Sequence, residues 1–121
     1  VVHGREGLDE ISISGETLVG ELRDGEVTEY VVHPEQFGLP THDIEALRVN
    51  GVEASRDRVL EVLDNVPGPA RDIVLANAAA ALWTVGRTND LRAGVEIAAA
   101  AIDRGDVRRL LERLAARSHR R

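Results

Sequence analysis

The chain has 121 residues, the size of one domain, and its 21 acidic and 15 basic residues give a net charge of -6 at pH 7. This acidic balance argues against a general nucleic-acid binder, because such proteins neutralise phosphates with basic side chains. The absence of cysteine excludes disulfides and thiolate metal sites, and the sequence contains neither a membrane-spanning run nor a signal peptide, so we expect a cytoplasmic protein.

The first fourteen residues, VVHGREGLDEISIS, predict a strand, a charged loop and a second strand directly after the loop. Asp9 and Glu10 stand side by side at the end of the loop. Adjacent side chains in a regular strand point to opposite faces, so the two acids can bind one cation only if Gly4 and Gly7 let the loop bring them together. Adjacent surface acids are usually just solvated, but two carboxylates on a loop beside a sheet are a candidate cation site.

A β-hairpin is the clearest local element of the sequence. Residues 17–23 and 26–33 are two runs rich in Val, Thr, Leu and Tyr, and Asp24-Gly25 between them suits a tight type I′ turn. Two prolines and a glycine in residues 34–40 then predict an ordered loop without regular structure. Phe37, the only phenylalanine, is expected to pin that loop to the core.

Helical periodicity begins after residue 40 and predicts four to five packed helices. They are 41–47 capped by Thr41, 55–63 capped by Ser55, a helix from Pro69 to Val85, 91–104 capped by Asn89, and a last helix capped by Asp106 that precedes a solvated tail, RSHRR. The predicted buried stripe of the second helix is Val59, Leu60 and Leu63. Residues 73–85 are apolar almost all round and are expected to be buried on every side. Asn77 within that run needs hydrogen-bond partners, and we expect it to tie the helix to a loop.

Other kinds of site are not indicated. The histidines, His3, His33, His42 and His119, are scattered and show neither the spacing nor the carboxylate pairing of a zinc site. The sequence also has no nucleophile elbow, Walker loop or dinucleotide glycine fingerprint. The acidic pair is therefore the candidate site.

The pattern predicts one α+β unit over residues 1–121, a sheet edge with a β-hairpin followed by the helices. Residues 1–40 supply the strands and the candidate metal loop, and residues 41–121 are helical. The sequence contains no methionine and opens inside a predicted strand. Because a parallel α/β core needs several strands with crossovers, we expect the chain to be part of a longer protein with its other strands upstream.

Three motifs, in order along the chain, carry a family resemblance. GLDEIS at 7–12, PEQFGL at 34–39 and GPARDIVLANAAAAL at 68–82 resemble the C-terminal portion of anthranilate phosphoribosyltransferase. The resemblance covers nearly the whole chain and is loosest at 49–55, VNGVEAS, and in the arginine-rich tail. It implies an α/β fold for the parent protein.

This resemblance implies transfer of a phosphoribosyl group from phosphoribosyl pyrophosphate to anthranilate, a step of tryptophan biosynthesis. Asp9 and Glu10 match the acidic pair that binds magnesium in this family, so their implied role is to hold the ion that accompanies pyrophosphate. The family's glycine-rich pyrophosphate loop and anthranilate-binding positions lie upstream and match nothing here. We therefore expect both substrates to be bound through that upstream half, and the isolated chain to be inactive. The family also forms dimers, which implies a homo-oligomer.

Other interpretations stay open. The chain could be a non-catalytic interaction module that uses its sheet edge and alanine-rich helices to pair with another chain. It could also be a relative in the nucleoside phosphorylase class, or a nucleic-acid-binding homologue, although the acidic balance disfavours the last. A glycine-rich pyrophosphate loop upstream would favour the enzyme.

Overall fold

Three short antiparallel strands open the computed structural model, which describes residues 1–119. Strand β1 (Val2–Gly4) pairs with β2 (Thr17–Arg23), and β2 pairs with β3 (Glu26–Val32). The turn Asp24-Gly25 has φ values of 51° and 85°, as a type I′ turn requires. The predicted hairpin is confirmed, with its second strand one residue shorter.

The second strand predicted directly after the acidic loop is wrong. Residues 11–14 are irregular, although Ile11, Ser12 and Ile13 are buried. Their backbone groups bond to side chains instead of a neighbouring strand: the Ile11 N–H donates to Asn77 Oδ1 at 2.9 Å, and the Ser12 N–H donates to Thr17 Oγ1 at 2.9 Å. The apolar alternation thus reflects packing into the core and not a β-ladder.

The loop after β3 contains a short 3-10 helix, Pro34–Phe37, where the sequence predicts no regular structure. Proline fixes φ at the first position of this turn, and Gly38 ends it with a φ of 75°. The Gln36 side chain accepts the His33 N–H at 2.7 Å and closes the turn. Phe37 is 2% exposed, which confirms that it pins the loop to the core.

Four α-helices follow a second 3-10 helix, and the predicted number of helices is confirmed for residues 1–119. Their bounds are Ile44–Leu47 for the 3-10 helix, α1 Gly51–Leu63, α2 Pro69–Thr84, α3 Leu91–Asp103 and α4 Asp106–Ser118. No helix in this part of the chain is both long enough and apolar enough to cross a membrane. Arg120 and Arg121 of the predicted tail lie outside the described residues.

The helix starts differ from the predicted caps. The residues before the helices are Asp43, Asn50, Asp90 and Gly105, where the sequence predicts Thr41, Ser55, Asn89 and Asp106. The Asp43 and Asp90 carboxylates accept the N–H groups two residues on, at 2.9 and 3.1 Å, because aspartate competes well with a neighbouring Thr or Asn for this role. The Thr41 hydroxyl donates instead to the Glu35 carboxylate at 2.6 Å.

Helix α2 runs through the core but is not buried on every side. Its buried residues are Asp72, Ile73, Leu75, Ala76 and Ala79, whereas Val74 within it and Val85 just after its end are 45% and 70% exposed. Helix α1 buries Val62, whereas of its predicted stripe Val59 is exposed and Leu60 and Leu63 are only half-buried. Both expectations fail because an apolar sequence shows which faces can be buried and not which faces the neighbouring elements cover.

Helices α2 and α3 approach closely at Gly94. A Cβ atom at Gly94 would lie 2.9 Å from the Ala79 Cβ and 3.0 Å from the Ala79 Cα. Ala79 is fully buried, so small residues on both helices set the separation. This confirms that the alanines of α2 permit close approach. The close contact with α3 also sets the position of α2, the helix that reaches the acidic loop.

Candidate functional site

Asp9 and Glu10 lie in an irregular loop between β1 and the buried segment 11–14. The loop folds back on itself: the Gly4 N–H donates to Leu8 O at 2.9 Å, and the Gly7 N–H donates to Gly4 O at 2.9 Å. Gly7 has a φ of 106°, a value that favours glycine. Asp9 and Glu10 therefore lie on a loop shaped by glycine and not in a regular strand. An irregular loop is the arrangement that two adjacent acids would need in order to share an ion.

Gly4 is needed for space. A Cβ atom there would lie 3.1 Å from both Glu6 Oε2 and Leu8 Cβ, and 3.2 Å from Ser12 Cβ. The backbone of β1 thus packs directly against the loop and the buried segment. A larger residue would push the loop outward.

Glu6 fastens the start of the loop, and the sequence analysis did not single it out. The hydroxyls of Ser12 and Ser14 both donate to its Oε1, the second at 2.6 Å. Partial burial works against ionisation, but these bonds outweigh it, so the pKa of Glu6 is lowered. The alternating serines of ISIS were the available signal, since they place two hydroxyls close to the acidic loop.

Asn77 fastens the end of the loop from helix α2. Its Oδ1 accepts the Ile11 N–H at 2.9 Å, and its Nδ2 donates to Ile11 O at 3.0 Å and to Ile73 O at 2.9 Å. Because Ile11 directly follows Glu10, the Asn77 amide fixes the backbone at the point where the acidic loop joins the buried segment. The expected role of Asn77 in tying helix to loop is confirmed.

A cleft of about 400 Å³ opens beside the loop. Its lining residues are Glu6, Gly7, Leu8, Glu10, Ile44, Leu47 and Arg48. Glu10 is half-buried on its wall, whereas Asp9 is exposed and is not part of the lining. The structure thus places one acid on the cleft wall and its neighbour on the open surface.

The environment of Glu10 disfavours its charged form. Burial, and then the negative charge of Asp9, raise the pKa of Glu10. A bound cation would relieve both effects, because it favours the ionised form. Within residues 1–119, no group of three or more His, Cys, Asp or Glu side chains is placed to hold a metal. Two carboxylates fit magnesium, which usually keeps several waters and takes further oxygens from substrate phosphates.

One histidine has a partner that the sequence analysis missed. His42 Nε2 lies 2.7 Å from Asp72 Oδ2, and the His42 N–H donates to Ile13 O at 2.8 Å. The two side chains are 30 residues apart in sequence, so local spacing could not reveal the pair. Through these two bonds His42 ties the first turn of α2 to segment 11–14 at Ile13, whereas Asn77 holds the segment at Ile11.

The motifs of the resemblance meet in space. Asn77 of the third motif bonds Ile11 of the first. The second motif also contacts α2, and it is held from outside the motifs by Arg92 of α3, which donates to Glu35 O at 2.7 Å and packs against Gly38. The first and second motifs are therefore both held on helices, the first through Asn77 of α2 and the second through Arg92 of α3.

Comparison with protein families matches residues 1–108 to the glycosyl transferase family, a/b domain. The chain belongs to this family. It is 49% identical over 118 residues to the anthranilate phosphoribosyltransferase of Thiobacillus denitrificans, an alignment that covers 98% of this chain and 34% of that protein. The resemblance to the C-terminal portion of these glycosyl transferase family members is confirmed.

Solved structures agree with this assignment to the glycosyl transferase family. Anthranilate phosphoribosyltransferase from Thermus thermophilus superposes with a TM-score of 0.84 at 35% identity, covering 96% of this chain and 34% of that one. The Saccharomyces cerevisiae enzyme in complex with PRPP and Mg gives 0.80 at 28% identity, covering 92% and 32%. The predicted fold class is confirmed, and the chain spans about a third of the length of these relatives.

Proposed function

We propose that this chain is the C-terminal part of an anthranilate phosphoribosyltransferase and that it contributes the magnesium-binding acids, Asp9 and Glu10. The observation that carries the proposal is the acidic loop: glycines shape it, Glu6 and Asn77 fasten its two ends, and it carries both acids between these fixed points. The complex of the yeast relative with PRPP and Mg supports magnesium as the ion.

The chemistry asks for charge neutralisation more than for a nucleophile. Phosphoribosyl transfer breaks the bond between the ribose carbon and pyrophosphate, so negative charge builds on the leaving group. Magnesium bound by the pair would stabilise that charge. Asp9 and Glu10 supply carboxylate oxygens for it, and the bonds to Glu6 and Asn77 keep the loop from rearranging as charge develops.

The remaining parts of the reaction belong to residues outside this chain. The relatives are about three times longer, and the yeast enzyme has been solved in complex with 4-fluoroanthranilate. We propose that both substrates, phosphoribosyl pyrophosphate and anthranilate, bind mainly to the remainder of a longer protein. The isolated chain is then inactive, and the whole enzyme is a cytoplasmic homo-oligomer, a dimer, that serves tryptophan biosynthesis.

The test measures transfer in the full-length protein that carries this chain. Asp9→Asn and Glu10→Gln each remove one charge from the pair, and we expect turnover to fall at least tenfold at limiting magnesium and to recover partly at high magnesium. Glu29→Gln is the matched control, because this exposed acid lies on β3. Unchanged magnesium dependence in both loop variants would remove the pair from the mechanism.

One observation favours an interaction module as the second candidate. Several large apolar side chains are exposed, among them Leu110, Leu111 and Leu114 on helix α4. The same assay separates the candidates, because a module would show no transfer with or without magnesium. A relative of the nucleoside phosphorylases would instead cleave nucleosides with phosphate and ignore anthranilate.

A further inference from the structure

Helix α2 contacts the backbone of the acidic loop through a single amide side chain. Asn77 pairs with both backbone groups of Ile11, accepting the N–H at 2.9 Å and donating to the carbonyl at 3.0 Å. Its second Nδ2 hydrogen bonds Ile73 O, one turn back in its own helix, at 2.9 Å. The amide is therefore held by its helix while it holds the loop.

Packing alone does not account for an asparagine at this position. Residues 73–82 of α2 are otherwise apolar, and four consecutive alanines follow Asn77. Alanine is a better helix former and would leave no polar group to satisfy inside such a run. What asparagine adds is the pair of bonds to Ile11, which is 3% exposed and has little access to water.

The bonds act next to the acids. Ile11 follows Glu10 directly, so fixing both of its backbone groups fixes the peptide from which the Glu10 side chain departs. At the other end of the loop, β1 pairs with β2 up to Gly4, and Glu6 bonds the two serines. The residues between these fixed points carry the proposed ligands.

We propose that Asn77 is the positioning residue of the magnesium-binding pair, which it presents to the ion by locking the backbone at Ile11. This inference rests on the proposed function. Asn77 does not touch the ion or the substrates in this scheme. Loss of such a supporting bond lowers metal affinity or activity by about 10- to 100-fold in characterised metal sites.

The test compares Asn77→Ala with His42→Ala in the full-length enzyme. Both variants remove a side-chain contact made by α2, but the His42 side chain bonds Asp72 and not the backbone of Ile11. We expect Asn77→Ala to raise the magnesium concentration for half-maximal turnover about tenfold, whereas His42→Ala lowers thermal stability and leaves that concentration unchanged. Asn77→Gln, which keeps both an amide acceptor and an amide donor, should give a smaller shift and serves if the alanine variant does not fold.

A second measurement does not depend on activity. Hydrogen exchange of peptides covering residues 8–12 should be slowed by magnesium with phosphoribosyl pyrophosphate in the unaltered enzyme and in His42→Ala, and much less in Asn77→Ala. Equal shifts in both alanine variants, or an unchanged magnesium requirement in Asn77→Ala, would overturn the positioning role alone. Absence of magnesium-dependent transfer in the unaltered enzyme would overturn the proposed function, and the inference with it.

Discussion

Gly94→Ala is the substitution whose cost can be worked most directly from the structure. The added Cβ would lie 2.9 Å from Ala79 Cβ and 3.0 Å from Ala79 Cα, closer than such atoms pack, and Ala79 has no rotamer through which to move away. Alanine gains about 1 kcal/mol over glycine in a helix, while overpacking a core costs about 1–3 kcal/mol. Because the contact is with backbone as well as side chain, we take the upper part of that range and expect a net loss of about 1–2 kcal/mol.

Hydrogen exchange in the full-length protein measures this loss locally. A change of about 1–2 kcal/mol corresponds to roughly 5- to 30-fold faster exchange for the amides of α2 and α3 that open with this packing. Gly20→Ala on β2 is the matched control, since a Cβ there meets nothing within 4 Å, and we expect no change in α2 or α3. Unchanged or slower exchange in Gly94→Ala would refute the claim that α2 and α3 are packed at their closest approach.

Two further predictions concern pH. Burial and the charge of Asp9 raise the pKa of Glu10 above its unfolded value. Glu10 therefore favours folding at low pH, and this contribution is lost as the pH rises through its folded pKa. Glu10→Gln should melt at a higher temperature than the unaltered protein at pH 7 without magnesium, and a lower melting temperature would contradict this. Burial opposes ionisation of Glu6, but the hydrogen bonds from Ser12 and Ser14 outweigh it and lower its pKa. The ionised Glu6 therefore contributes to folding stability above its unfolded pKa of 4.5, and this contribution is lost as the pH falls through its folded pKa. The melting temperatures of the unaltered protein and Glu6→Gln should accordingly differ at pH 6 and converge as the pH falls through the folded pKa of Glu6. A difference that stays constant with pH would argue against the network.

The sequence predicts those elements that depend on neighbouring residues. The hairpin follows from Asp24-Gly25, because the two residues that must adopt positive φ are adjacent and of suitable type. Cap positions are less certain where two suitable residues stand close together, as with Asn89 and Asp90, since the choice depends on where the preceding loop ends. The same limit applies to Thr41 and Asp43.

The rest depends on partners that are distant in sequence. Segment 11–14 alternates like a strand, yet its hydrogen bonds go to Asn77, 66 residues away, and to Thr17. The pairing of His42 with Asp72, 30 residues apart, was missed for the same reason. Glu6 was missed although Ser12 and Ser14 are near in sequence, because their contact depends on how the loop folds back. The candidate acidic pair could be named from the sequence because its two residues are adjacent. The sequence also predicts that Asn77 ties its helix to a loop, but not that this loop is the acidic one.

Because we propose that Asp9 and Glu10 together hold the divalent ion, the decisive measurement is metal binding itself. Mn²⁺ prefers the same oxygen ligands as magnesium, and its free form can be counted by electron paramagnetic resonance. In the full-length enzyme with phosphoribosyl pyrophosphate, we expect the unaltered protein to bind Mn²⁺ at least tenfold more tightly than Asp9→Asn or Glu10→Gln, and Glu29→Gln to match the unaltered protein. Equal Mn²⁺ binding by all four proteins would contradict the account.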